Sequence, residues 1–397
     1  MRLSLNLIPF RGFLFFIFLL ILAGPGMAQT VPFTEVIIDD ALAGDCKMVG
    51  DIDGDGRKDL VIGGMPGEKL NWFRYPDWQK TIIATPVQEF TTDGALGDVD
   101  GDGDLDIIIP DGNGTNNLLW FKNPRPGGNP SDGGQWTKHI IGTIGGFGKD
   151  VKPADYDADG RLDVAVYGYR ELMIFFQDAN NQWSKVVLPV PAGNLGDEGL
   201  GFGDINRDGK PDLIVRGAWM KNPGGSQARQ DSSWKANEIG PVDDSFKVVL
   251  TDLNRDGRPD LVFSNSEGTG PLTWWTPVTQ DPEGTWVKTT IIASLEKAHT
   301  LQAADINRDG KTDLLVGQMH TSSAREVMIL FNLDGQGTAW HKQVVSTGGI
   351  HNGVVADIGN DGDWDIFGAN WTGNPPVSLW INQLPPLPKV YLPLLAH

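Results

Sequence analysis

Short apolar runs of strand length, bounded by glycine and other turn formers, recur along the chain; Leu60-Val61-Ile62 and Leu314-Leu315-Val316 are examples. A second run in each unit carries aromatics: Trp72-Phe73, Trp120-Phe121, Phe175-Phe176, Trp219, Trp274-Trp275, Phe331 and Trp380. A third opens on Trp and alternates into β-branched residues, as in Trp136-Thr137-Lys138-His139-Ile140-Ile141. Its first positions are Trp78, Trp136, Trp183, Trp234, Trp286 and Trp340, one short of seven. The missing copy stands ahead of all the others, where Phe33-Thr34-Glu35-Val36-Ile37-Ile38 has the same alternation with Phe in place of Trp. Turn formers are abundant, with 51 glycines and 26 prolines among 397 residues, so the pattern predicts an all-β chain.

One motif, D-x-[DN]-x-D-G-x-x-D, precedes each apolar run. It starts at Asp51, Asp98, Asp155, Asp204, Asp252 and Asp305, and a degraded seventh copy starts at Asp357, where Gly359 takes the third position. Successive copies are 47, 57, 49, 48, 53 and 52 residues apart, a spacing that suits one four-stranded propeller blade and is too long for a coil of β-helix. The expected fold is a seven-bladed β-propeller of four-stranded blades. Its N-terminal strand completes the last blade and removes the open edge an incomplete sheet would expose.

Oxygen-bearing side chains at positions 1, 3, 5 and 9, around a glycine at 6 that permits a left-handed turn, point to a hard cation, Ca2+, at up to seven sites. The candidate ligands are Asp51, Asp53, Asp55 and Asp59; Asp98, Asp100, Asp102 and Asp106; Asp155, Asp157, Asp159 and Asp163; Asp204, Asn206, Asp208 and Asp212; Asp252, Asn254, Asp256 and Asp260; Asp305, Asn307, Asp309 and Asp313; and Asp357, Asp361 and Asp365. Magnesium fits less well because it keeps its waters. An EF-hand is excluded by the apolar twelfth position of the first six copies (Ile62, Ile109, Val166, Val215, Phe263, Val316) and by Gly368 in the seventh. The plain alternative is a solvated acidic turn without metal.

An Asp-rich loop entering an apolar strand resembles the FG-GAP/VCBS repeat, the blade unit of integrin α-subunit propellers and of many secreted bacterial proteins. The resemblance covers roughly Phe33 to Asn382 and implies seven blades with calcium between the first and second strands of each. The Phe-Gly word of the integrin version survives at few positions, such as Phe147-Gly148 and Phe202-Gly203, so the plain VCBS form is closer and no integrin-like partner is implied. The repeat is nearly silent about activity, since one propeller scaffold hosts lectins, adhesins, inhibitors and enzymes.

A site should be built from residues the repeat leaves over. His299 and His351 each stand six residues before the first motif Asp, a position held by Asp45, Thr92, Lys149, Glu198 and Phe246 in the other blades. These should ring the channel mouth on the face away from the acidic loops. His320, Trp371, Arg216 and Tyr167 leave second strands toward the same face, with Asp93 and Asp150 nearby. One functional reading is a binding module, in which Trp371 stacks on a sugar while the polar groups hydrogen-bond it. The other is a carbohydrate lyase or dehydratase acting α to a uronate carboxylate, with a histidine or Tyr167 as base and Arg216 or a metal stabilising the enolate-like state. Propellers of similar repeats occur in ulvan lyases and in fungal aldos-2-ulose dehydratase, but no motif of either matches here. The three histidines could also hold zinc, and the same residues fit an ordinary polar channel rim. The favoured expectation is a module for a glycan or protein ligand.

Residues 1–28 read as a signal peptide: Arg2 and Arg11 precede an apolar run from Phe13 to Ala23, and Gly26-Met27-Ala28 offers a cleavage site ahead of Gln29. The propeller is expected over 29–383, with a Pro-rich, apolar tail over 384–397, on a secreted, monomeric chain without stable membrane insertion. A net charge of −19 argues against nucleic acid and anionic membranes as partners. The single cysteine, Cys46, closes no disulfide within the chain.

Overall fold

The structure, a computed structural model, describes residues 30–385 apart from 66, 88, 113, 114, 192–195, 197 and 372. The expected leader 1–28, Gln29 and residues 386–397 of the expected tail lie outside these. The described chain forms seven antiparallel sheets, with helix confined to four 3-10 turns. In blade 1 the strands from inside outward are Cys46–Gly50, Asp59–Gly63, Leu70–Arg74 and Gln79–Ala84, and the later blades repeat this order. The first strand of every blade touches the first strand of the next, and blade 7 touches blade 1, so the ring is closed around a central channel.

The apolar runs have a simple cause. Each second strand is sandwiched between two neighbouring blades, so both of its faces must be apolar. Leu60 and Ile62 join a cluster shared with blade 7, through Phe367 and Leu379, whereas Val61 points into a cluster shared with blade 2, through Ile107 and Ile109. Ile108 turns the other way, toward Val164 and Val166 of blade 3. Seven such clusters, one per blade interface, stand in for a single core. The Trp that opens an outer strand covers the edge of its interface, and in blades 2, 4, 5 and 6 it also ties down its own loop. Trp136 Nε1 donates to Pro130 O at 3.0 Å, and Trp234 Nε1 to Ala228 O at 2.8 Å.

Blade 7 is composite, as the count of outer strands predicts. Phe33–Asp39 pairs antiparallel with Val377–Asn382, matching Phe33 to Asn382 and Val36 to Leu379. Val36 and Ile38 pack into the interface between blades 7 and 1, Phe33 packs into that between blades 6 and 7, and Val31 is fully buried there. Gln343 of blade 6 clasps the entering chain, accepting from Val31 N at 2.9 Å and donating to Val31 O at 2.6 Å.

A second staple holds adjacent blades at the acidic-loop end. In five blades an amide at or just beyond the end of the aromatic strand donates to a carbonyl in the preceding blade's loop. The bonds run from Asn123 to Ile52 O (2.9 Å), Gln177 to Val99 O (2.7 Å), Asn222 to Tyr156 O (2.9 Å), Asn332 to Leu253 O (3.0 Å) and Asn382 to Ile306 O (3.2 Å). Asn222 is fully buried, so Asn222→Ala orphans a buried carbonyl. The substitution should cost about 1–3 kcal/mol, read as a lower urea midpoint; an unchanged midpoint would deny the staple its role.

Candidate functional site

The two ends of the ring carry different chemistry. At one end, each motif folds into the same loop. Asp51 Oδ2 accepts from Gly56 N at 2.9 Å and Oδ1 from Asp55 N at 3.1 Å, and Gly56 itself has a φ of 87°. The ninth-position aspartate faces inward and bridges strands: Asp59 Oδ2 accepts from Ile52 N at 3.1 Å and Oδ1 from Tyr75 N at 2.8 Å. The same double bridge is made by Asp106, Asp163, Asp212, Asp313 and Asp365. Burial pushes the carboxyl of Asp59 up to about 6 and those of Asp106 and Asp163 up to about 7.

The loops of blades 1 to 3 bring carboxylate oxygens from Asp51, Asp53 and Asp59, from Asp98, Asp100 and Asp106, and from Asp155, Asp157 and Asp163 to within 4.8 Å of one another. Oxygens around a calcium ion, bonded at about 2.3–2.6 Å, are spaced in this way. Several buried oxygens here accept no hydrogen bond, namely Oδ1 of Asp100, Asp157, Asp252 and Asp260, so the donor set fits a hard cation. Basic side chains also approach the loops. Lys122 contacts Asp100 and sits 2.8 Å from Asp102, and Arg229 reaches Asp157 at 2.5 Å from the neighbouring blade.

The opposite end gathers part of the expected ligand face and redistributes the rest. His299 and His351 enter the channel mouth stacked on one another, with centroids 3.8 Å apart, and both are buried. His299 faces Glu198 of blade 4 at 3.1 Å and Glu267 of blade 5 at 3.6 Å through Nε2, while Nδ1 meets Asn352 Oδ1 at 3.1 Å. Burial works against charge on His299, yet Glu198 outweighs it and holds the imidazole pKa above its usual value. Burial likewise opposes ionisation of Glu198, but His299 and Lys247 hold this carboxyl well below the usual range. His351 is held well below the usual imidazole range by burial and by the adjacent His299, so it stays neutral. Its Nδ1 lies 3.4 Å from Asp45, whose own carboxyl is raised by burial.

Trp371 is 39% exposed, and its ring is tilted against His320 at 5.6 Å. It shares a cleft of about 460 Å³ with Asp45, Lys149, Glu267, Lys297 and His351. Asp93 and Asp150 face the channel instead, where Asp93 pairs with Lys152 at 2.7 Å and buried Asp150 lies 3.6 Å from Lys247.

Two expected members of this face, Tyr167 and Arg216, do not reach the Trp371 cleft. Tyr167 does not leave its strand: it lies inside Asp163–Gly168, 1% exposed, in the core between blades 3 and 4. Its hydroxyl donates to Gly196 O at 2.9 Å and accepts from Arg216 Nε at 2.9 Å, an arrangement unlike that of a free base facing the channel. Arg216 lines a separate cleft with Glu238, Asp243 and Asp244. For Tyr167 the cause is strand parity, since Ala165 and Tyr167 share one face of their strand and Val164 and Val166 the other. The sequence places Glu198 at the channel mouth without marking it as a ligand, and it does not single out Glu267. Glu198 shares the register position of His299 two blades away, which was a usable signal; Glu267 carries none.

No helix among the described residues is long and apolar enough to cross a membrane. No curated protein matches the chain. Among solved structures, the fold is similar to that of a lectin from Agrocybe aegerita, described for specific recognition of non-reducing terminal N-acetylglucosamine. That match has a TM-score of 0.52 and 17% identity, over 78% of this chain and 81% of the lectin. It is also similar to BBS1N, solved in complex with ARL6DN, with a TM-score of 0.51 and 14% identity over 89% of this chain and 96% of that one. In sequence, the FG-GAP-like repeat model matches residues 51–109, 98–166, 155–215 and 252–316, each span running from the first Asp of one loop into the strand that follows a loop. These spans cover more than half of the chain and keep the register of the acidic loops, and the protein belongs to the FG-GAP-like repeat family.

Proposed function

We propose that this chain is a secreted, calcium-stabilised propeller that binds a glycan at the channel mouth opposite its acidic loops. The observation carrying this reading is Trp371, a large ring held partly exposed at the rim of a cleft whose lining combines charged and imidazole groups with Met65, Met319, Thr92 and Thr321. An aromatic platform beside directional polar groups suits a sugar, which has an apolar face and a rim of hydroxyls. Asp45 and Glu267 would accept from hydroxyls, and Lys149 and Lys297 would donate. The Agrocybe lectin supports the scaffold's capacity for this role and lends no binding residue. In the acidic loops, positions 1, 3, 5 and 9 would hold calcium, whose contribution is to tie the first and second strands of each blade together.

Glycan-array screening in the presence of calcium should find binders among terminal sugars or uronate polymers. Trp371→Ala should weaken that binding by about 1–3 kcal/mol. The melting temperature should stay nearly unchanged, because the ring is part of no interface core. Absence of binding on a broad array, or binding indifferent to Trp371→Ala, would overturn the assignment of this cleft.

A further inference from the structure

We propose that His299, Glu198 and Glu267 hold one divalent transition ion of the zinc class at the inner end of the Trp371 cleft, separate from the all-oxygen acidic loops. Asn352 sets the tautomer. Its Nδ2 donates to Thr92 O, so its Oδ1 is the group facing His299 Nδ1 at 3.1 Å, and Nδ1 must carry the hydrogen. A histidine whose one nitrogen donates to an amide oxygen presents the other as a ligand, the usual support of a metal-bound imidazole. Here that nitrogen, Nε2, meets carboxylate oxygens at 3.1 Å (Glu198) and 3.6 Å (Glu267). Ligand atoms bonded at about 2.0–2.2 Å to a tetrahedral zinc ion are about 3.3–3.6 Å apart, so little movement is needed to admit the ion.

An independent observation points the same way. Glu198 is 1% exposed; its Oε2 is hydrogen-bonded to His299 Nε2 at 3.2 Å, while its Oε1, 3.1 Å from the same nitrogen, accepts no hydrogen bond from any described residue. Lys149 and Lys247 each lie 4.0 Å from Glu198, which opposes a cation, but Asp150 partly offsets Lys247 at 3.6 Å. Two carboxylates and a neutral imidazole balance a divalent charge. Any proton on Nε2 leaves to solvent as the ion binds. Glu267 is 48% exposed on its side chain and lines the cleft, so a fourth coordination position would open toward Trp371. An imidazole with two carboxylates favours zinc, cobalt or copper over calcium.

The test uses the full chain in excess calcium, which occupies the acidic loops, titrated with cobalt(II) chloride. One Co2+ per chain should bind with a visible absorption band that zinc chloride abolishes. Glu198→Gln and Glu267→Gln should each weaken the uptake at least about tenfold, and the latter, at a half-exposed position, should melt like the unsubstituted protein. No Co2+ uptake by the calcium-saturated chain would overturn the proposal. So would uptake undiminished in folded Glu267→Gln. This site does not depend on the glycan reading, since metal uptake and sugar binding are read separately.

Discussion

Chelating calcium should lower the melting temperature of this propeller by about 10 °C. A ligand that binds only the folded loops contributes RT ln(1 + [L]/Kd), about 2.7 kcal/mol per site at a hundredfold excess over Kd. Three such sites contribute about 8 kcal/mol, comparable with the whole stability of many domains. Spread over the unfolding entropy of a chain this long, that is a shift of about 10 °C. The loops of blades 1 to 3, with four carboxylates each, should hold calcium most tightly. The loops starting at Asp204, Asp252 and Asp305 each have Asn at the third position and should follow, and the loop with Gly359 should be weakest. Asp98→Asn should therefore reduce the calcium-dependent shift more than Asp357→Asn does. A melting curve indifferent to EDTA, or calorimetry without calcium binding, would remove calcium from the account of this fold.

Removing the N-terminal strand should have the next largest effect. A chain beginning at Ala41 loses the whole ladder from Phe33 to Asp39 and the burial of Val31, Phe33, Val36 and Ile38. Apolar burial alone accounts for about 5 kcal/mol or more of that loss, against a total of about 5–15 kcal/mol for a typical domain. Val377–Asn382 would become an open edge able to pair with another molecule. The shortened chain should lose cooperative melting and aggregate, and a peptide spanning residues 30–40 should restore the folded form by adding the missing strand. If the chain from Ala41 melts like one from Gln29, ring closure is not what stabilises blade 7.

The fold was readable because its signals are local. A motif of nine residues builds its own loop, as Asp51 and Gly56 show, and the run behind it is apolar because both faces of the strand are covered. The closing strand was readable by count, since an outer strand led by Phe33 was the one element lacking a blade. The interblade amides were equally visible, in phase at the ends of Lys122-Asn123, Phe176-Gln177, Lys221-Asn222, Phe331-Asn332 and Ile381-Asn382. Nothing in the local pattern said that they reach into the preceding blade.

By itself, then, the sequence determined the all-β class, the number of blades, the place of the acidic loops and the identity of the closing strand. Each of these depends on contacts between residues that are near in sequence or repeat at a fixed interval. The tertiary structure alone decided which groups form a site. Glu198 and His299 are 101 positions apart and meet only because the closed ring turns equivalent positions of blades 4 and 6 toward one channel. Parity along a strand put Tyr167 into a blade interface, and Arg216 opened onto a cleft apart from Trp371. Side chains that share a register position can differ in every chemical property, as Asp45, Lys149, Phe246 and His351 do, because the scaffold requires only that the backbone pass that point. Their combination across the channel is set by the geometry of closure, which no single repeat contains.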